Sequence, residues 1–128
     1  MKRLILDIDD TFSFNTKGNY AEARANLDVI NRIKNYKNDG FEIVLFTARN
    51  MRTYEGNVGK INANTLPTLI EWLKEQDVPY DEIYTGKPWC GFEGFYIDDK
   101  AVRPREFVEK TYEEIQELLE KDKLEPNS

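Results

Sequence analysis

The sequence predicts an α/β fold, a three-layer α/β/α Rossmann-like sandwich around a parallel sheet, on three observations. Short apolar runs alternate with segments of helical periodicity along the chain. The run Ile43-Val44-Leu45-Phe46 is apolar without alternation, as expected of a parallel strand covered on both faces. Polar residues follow these runs at once, at the carboxyl ends where ligands of such sheets bind.

Four runs read as strands: Arg3–Ile8, Phe41–Phe46, Glu82–Tyr84 and Gly94–Ile97. Between the first two, Leu27, Ile30, Ile33 and Tyr36 recur at helical spacing, with Asn26 as the starting cap and Asp39-Gly40 closing the segment. A second helix fits Leu66 to Gln76, with Pro67 in its first turn, Leu69, Ile70 and Leu73 as its buried stripe, and Pro79 as its stop. A last helix starts at Thr111, where Thr111-Tyr112-Glu113-Glu114 has capping-box spacing, and continues through Ile115, Leu118 and Leu119. Right-handed crossovers then gather the strands into one parallel sheet. Residues 12–24 and 48–63 break the rhythm as polar, glycine-containing connections that leave strand ends and should overhang them. Trp89, Phe92, Phe95 and Tyr96 are expected in core packing.

The 128 residues make one domain's worth of chain, read as a single domain spanning 1–128 with a C-terminal helix and tail over 110–128. Asp plus Glu outnumber Lys plus Arg by 24 to 18, a net charge of -6, which argues against a nucleic-acid partner. There is no histidine, so Ser-His triads, His-ligated zinc and imidazole acid/base chemistry are excluded. The single cysteine, Cys90, cannot form an internal disulfide and reads as a packed residue in a reducing compartment. Asp7 interrupts the first apolar run too early for a signal peptide, and no segment approaches membrane-spanning length. The expectation is a cytoplasmic protein without a membrane partner, whose chemistry rests on carboxylates, hydroxyls, lysine, arginine and a bound cation.

The strand ends supply that chemistry. The first gives Asp7, Asp9 and Thr11; the second gives Thr47 and, beyond Ala48, Arg49. The third is followed by Gly86-Lys87-Pro88, and the fourth ends in Asp98-Asp99. Packed carboxylates repel one another and resist desolvation unless a cation sits among them. Mg²⁺ suits such a set, since it takes hard oxygens, one or two carboxylates, waters and substrate phosphate.

The order of these motifs resembles the haloacid dehalogenase (HAD) superfamily of phosphatases over the whole chain. Asp7-Ile8-Asp9-Asp10-Thr11 matches its Asp-x-Asp-x-Thr motif, although many members carry glycine where Asp10 stands. Thr47, Lys87-Pro88 and Asp98-Asp99 match the second, third and fourth motifs. The stretches "TARNMRTYEGNVGKIN" and "GKPWCG" look closer to small phosphatases associated with capsular polysaccharide biosynthesis. The resemblance implies catalytic roles for Asp7 as nucleophile, Asp9 as acid and base, and Thr47 and Lys87 as ligands of the transferring oxygens. It implies a Mg²⁺ site drawn from Asp7, Asp9, Asp98 and Asp99, with Asp99 acting through water or by orienting Lys87.

Residues 12–24 are too few for a helical cap, and only Asp77 to Gly86 separates the second helix from Lys87, so a HAD-like fold without a cap domain is expected. An open site calls for a large substrate or cover from a neighbouring subunit, which makes a homo-oligomer possible. The 48–63 connection is the expected specificity element, with its Arg49 and Arg52 as candidate substrate-binding residues; Thr11, in the first motif, is a third such candidate. The expected substrate is a phosphorylated sugar or a sugar-linked alcohol phosphate, a small capsule precursor. The main rival is a receiver-like phosphoacceptor domain, but receivers carry the phosphoacceptor on the third strand. Here Glu82-Ile83-Tyr84 ends without an aspartate and the acidic pair follows the lysine. Another HAD phosphatase, acting on a different small phosphometabolite, is the second alternative.

Overall fold

A computed structural model of the chain describes residues 1–15 and 18–127. The chain divides into two compact units, Met1–Trp89 and Cys90–Ser128.

The first unit is built on a parallel sheet. Strand β1 (Arg3–Leu6) pairs with β4 (Glu42–Phe46), setting Leu6 opposite Leu45, and β4 pairs with β5 (Glu82–Tyr84), setting Phe46 opposite Tyr84. The order β1-β4-β5 leaves β4 central, which is why Ile43, Val44 and Leu45 are all buried. β1 ends two residues before the sequence expects. The amides of Thr11, Phe12 and Ser13 all donate to the carbonyl of Ile8, and this turn draws the chain out of the ladder.

The 12–24 connection has structure of its own. A short antiparallel pair, β2 (Ser13–Phe14) and β3 (Arg24–Ala25), brackets a 3₁₀ turn at Tyr20–Glu22. Helix α1 (Leu27–Asn38) starts as read: Asn26 accepts a hydrogen bond from the amide of Val29, and Gly40, at φ 93, turns the chain toward β4. Its buried face is Val29, Ile30, Ile33 and Tyr36, while Leu27, expected in the stripe, is 63% exposed at the first turn. The 48–63 connection also departs from expectation, since most of its second half is helix α2 (Val58–Asn64), capped by the Asn57 side chain at the amide of Lys60. Helix α3 (Leu66–Glu75) then follows with Pro67 in its first turn. It buries Leu69, Trp72 and Leu73, so Trp72 takes the place expected of Ile70, which is 43% exposed. The buried trio keeps the i, i+3, i+4 spacing of one helical face, and Ile70 lies a residue off it.

The second unit holds α4 (Pro104–Glu109) and α5 (Tyr112–Lys121), with Phe107 and Ile115 as its buried apolar side chains. The predicted capping box forms: Thr111 Oγ1 accepts from the amide of Glu114, and Glu114 Oε1 accepts from the amide of Thr111. The fourth predicted strand does not form, because Gly94–Ile97 joins no ladder among the described residues. A three- or four-residue strand has no stability without a neighbouring edge. The local turn is also tight, since a Cβ on Gly94 would collide with the carbonyl of Cys90. Phe92, Phe95 and Tyr96, expected in the core, are 79%, 76% and 53% exposed, and Trp89, at the end of the first unit, is 40% exposed. No helix among the described residues is long and apolar enough to cross a membrane.

Candidate active site

Three strand ends of the first unit meet at one edge, because the parallel register delivers residues 7, 47 and 85–87 at the same side of the sheet. Thr47 closes the seam: its amide donates to the carbonyl of Tyr84 at 2.9 Å, and its own carbonyl accepts from the amide of Lys87 at 3.2 Å. Gly86, at φ 83, makes the turn that returns Lys87 toward β4, and a Cβ there would press on Val58 at 3.0 Å.

Asp7 sits where β1 ends. Thr11 Oγ1 donates to its Oδ2 at 2.9 Å, and Lys87 Nζ stands 3.4 Å from its Oδ1. Burial is the largest influence on this carboxyl and raises it above the usual carboxylate range. Lys87 and Thr11 pull it down, and the negative charge of Asp9 adds to the rise. The positive charge nearby is therefore insufficient to restore an ordinary acid.

Asp9 has a different environment. Arg49 donates to it twice, Nη2 to Oδ1 at 2.8 Å and Nε to Oδ2 at 3.2 Å, and Thr47 Oγ1 donates a longer bond of 3.3 Å. Thr47 Oγ1 in turn accepts from the backbone amide of Arg49 at 3.0 Å, so the buried hydroxyl couples the end of β4 to Asp9. The Arg49 side chain is 1% exposed and stacks on the Tyr20 ring, with Cζ 4.1 Å from the ring centroid. Its Nη1 is buried without a hydrogen-bond partner. The Tyr20 hydroxyl is pushed above its ordinary value, mainly by burial and then by Asp9, so the phenol keeps its proton at neutral pH.

Asp10, where the resemblance often has glycine, adopts φ 65, with its amide donating to the carbonyl of Ser13. The left-handed backbone explains that glycine, and Asp is among the residues that tolerate the conformation.

Of the residues singled out in the sequence, Asp7, Asp9, Thr11, Thr47, Arg49 and Lys87 come together. Thr11, a candidate substrate ligand, bonds to Asp7. Arg49, another candidate, lies beneath the surface on Asp9. Arg52 is exposed in the turn that follows, with its carbonyl accepting from the amide of Glu55. Asp98 and Asp99 belong to the second unit, where both are exposed and Asp98 Oδ1 accepts from the amide of Lys100 at 2.9 Å. That bond, with a further one from Asp99, holds the Asp98 carboxyl below its usual range.

The donors suit a hard cation in part. Asp7 Oδ1 and Oδ2 are each engaged by one side chain, one of them at 3.4 Å, and keep lone pairs, whereas both Asp9 oxygens face Arg49. Among the described residues no group of three or more His, Cys, Asp or Glu side chains forms a ready-made metal seat. Mg²⁺ fits the Asp7 side, because it needs only one or two carboxylates when waters and phosphate complete its shell.

Tyr20 escaped the sequence reading, although an aromatic deep in a polar connection expected to overhang the site was the available signal. Trp72 holds that connection in place, since its Nε1 donates to the carbonyl of Ala23 at 2.9 Å and its ring stands 6.2 Å from that of Phe12.

No family model and no curated protein matches the chain. A crystal structure of a structural-genomics target from Vibrio cholerae is 58% identical, covers 96% of this chain and 100% of its own, and superposes with a TM-score of 0.93. At that identity over almost the full length, the chain belongs to the same family as this Vibrio cholerae protein.

Proposed function

We propose that the protein is a Mg²⁺-dependent phosphatase of the HAD type, without a cap domain, that hydrolyses a phosphate monoester of a sugar or sugar-linked alcohol through an aspartyl-phosphate. The observation that carries this reading is the meeting of Asp7, Asp9, Thr47 and Lys87 at the carboxyl ends of three parallel strands, with Lys87 Nζ 3.4 Å from Asp7 Oδ1.

Asp7 carries the covalent step. One of its carboxylate oxygens attacks phosphorus as the ester P–O bond breaks, and Asp9 gives its proton to the departing oxygen. A water then attacks phosphorus, Asp9 takes a proton from it, and inorganic phosphate leaves with Asp7 regenerated. Lys87 steadies the transferring oxygens and favours the ionised form of Asp7. Arg49 and Thr47 keep Asp9 aimed. A Mg²⁺ ion, when bound, would supply further positive charge against the negative charge that develops on the phosphoryl oxygens. Asp7 would hold it.

Phosphate release from a panel of sugar and polyol phosphates, with and without Mg²⁺, tests the reading. Many turnovers per site that require Mg²⁺ and vanish in Asp7→Asn are expected. Release that stops near one phosphate per site would favour the receiver-like alternative, and full turnover by Asp7→Asn would overturn both.

A further inference from the structure

Beside the acid lies a cleft of about 270 Å³, entirely within the first unit, lined by Asn19, Tyr20, Arg49, Asn50, Asn64 and Thr68 among others. Its size falls just under the roughly 300–1,000 Å³ of drug-sized pockets, which suits a small ligand. Its chemistry is narrow. Three side-chain amides, a phenol and hydroxyls offer both donors and acceptors, and among the described residues no carboxylate lines it. The one charge in its wall among the described residues, Arg49, is matched by Asp9. An anion would find little net positive charge there. Asn19, Asn50 and Asn64 each donate one bond inside the protein, to Glu22, Thr53 and the carbonyl of Lys60, and an apolar group would leave the rest of their hydrogen-bonding capacity unmet. A neutral group rich in hydroxyls satisfies such a wall.

Arg49 supplies the second, independent observation. Its guanidinium is buried, and Nη1 has no partner. An unpaired donor on a buried cation is costly, and a ligand oxygen is one way to satisfy it. The side chain reaches both places: Nε and Nη2 hold Asp9, while the residue forms part of the cleft wall against Tyr20. The Asn50 side chain is fixed on the same rim, accepting from Thr65 Oγ1 at 2.7 Å.

We propose that this cleft is the leaving-group subsite, that it binds the neutral polyhydroxylated part of the ester, and that Arg49 joins it to the acid Asp9. The inference rests on the phosphatase reading for its catalytic meaning, but binding in the cleft can be seen without catalysis.

The experiment has two arms on the full chain. In the first, ¹⁵N-labelled protein is titrated with glucose, with gluconate as the anionic control and cyclohexanol as the apolar one, while side-chain amide and Arg Nε resonances are followed. Glucose is expected to shift the Asn19, Asn50, Asn64 and Arg49 signals, and the two controls to leave them in place. In the second arm, kcat/KM for a sugar phosphate is divided by kcat/KM for methyl phosphate in the parent, Asn64→Ala and Thr68→Val. Both substituted residues are exposed, so the fold is expected to survive. One lost hydrogen bond corresponds to a drop in that ratio of about five- to ten-fold. No shift with glucose, a larger shift with gluconate or cyclohexanol, or an unchanged ratio in both variants would overturn the subsite. Glucose binding at these signals by a protein that releases no phosphate from any ester would sink the phosphatase reading and leave the cleft as a sugar site.

Discussion

Arg49 grips Asp9 with two hydrogen bonds, of 2.8 and 3.2 Å, from a side chain that is 1% exposed against 25% for its partner. Removing either residue leaves the other charge poorly solvated. Arg49→Ala is expected to cost about 2–3 kcal/mol, below the roughly 3–5 kcal/mol of fully buried pairs because Asp9 reaches solvent. Arg49→Lys should recover only a minor part of the loss. A point charge cannot reproduce the two-pronged grip, and the planar stack on Tyr20 disappears. Urea denaturation of the three proteins measures this, and a Lys variant as stable as the parent would show that the fork is dispensable.

Asp7 makes stability depend on pH in a definite direction. Burial raises its carboxyl, so the folded chain holds that proton more tightly than the unfolded chain does. Stability contributed at this residue is therefore greatest in acid and declines as pH climbs from the ordinary carboxylate range through the raised value. Asp7→Asn cannot ionise and escapes the decline. Thermal unfolding without Mg²⁺ should give the variant the higher Tm at pH 7 and no advantage at pH 4. Adding Mg²⁺ should narrow the gap by stabilising only the parent. A variant less stable than the parent at pH 7 would mean that the Lys87 attraction outweighs burial.

Features decided locally were legible in the sequence. The Asn26 and Thr111 caps depend on a side chain meeting an amide three residues on, and both form. The unbroken apolar run of β4 announced a central strand, and β4 is central. What depends on distant partners was not legible. Nothing near Arg49 indicates that its guanidinium will find Asp9 forty residues earlier instead of solvent. Gly94–Ile97 has the composition of a strand, but pairing needs an edge, and no local pattern supplies one. Asp7, Asp9, Thr47 and Lys87, which meet at one edge of the sheet, were legible because each follows a strand. Tyr20 was missed because it stands on a turn inside a connection.

The backbone of Asp10, at φ 65, separates tolerated from untolerated substitutions. Glycine adopts that conformation freely, so Asp10→Gly should keep the turn and hold the parent's stability to within about 1 kcal/mol. A β-branched residue does not, and Asp10→Val should lose about 1–2 kcal/mol as Cβ meets the backbone. Denaturant midpoints give both values. Equal losses would show that the Asp10 side chain, and not its backbone, is what the turn needs.

Trp72 ties the segment carrying Tyr20 to α3 through the bond from Nε1 to the carbonyl of Ala23. Trp72→Phe keeps an aromatic ring but strands a buried carbonyl, with an expected loss of about 1–3 kcal/mol. The loss should be felt locally. Amide hydrogen exchange is expected to accelerate more over residues 20–25 than over α1, because the missing bond anchors only the connection. Uniform acceleration would assign Trp72 to general core packing.

Asp98 offers the sharpest test of the cation assignment. Its carboxyl is held below the usual range, chiefly by the Lys100 amide, so it is ionised at neutral pH and can accept Mg²⁺ without first losing a proton. If Asp98 is a ligand of the cation, as the resemblance implies, Asp98→Asn removes a formal charge from the ligand set while preserving shape. The Mg²⁺ concentration for half-maximal phosphate release should then rise by about ten-fold or more, since even a partner outside the ligand set costs roughly 10–100-fold in metal affinity. Asp99→Asn, acting through water or through Lys87, should shift it less. An unchanged Mg²⁺ requirement in Asp98→Asn, with catalysis still dependent on Asp7, would take Asp98 out of the ligand set. The fourth motif would then have some other role.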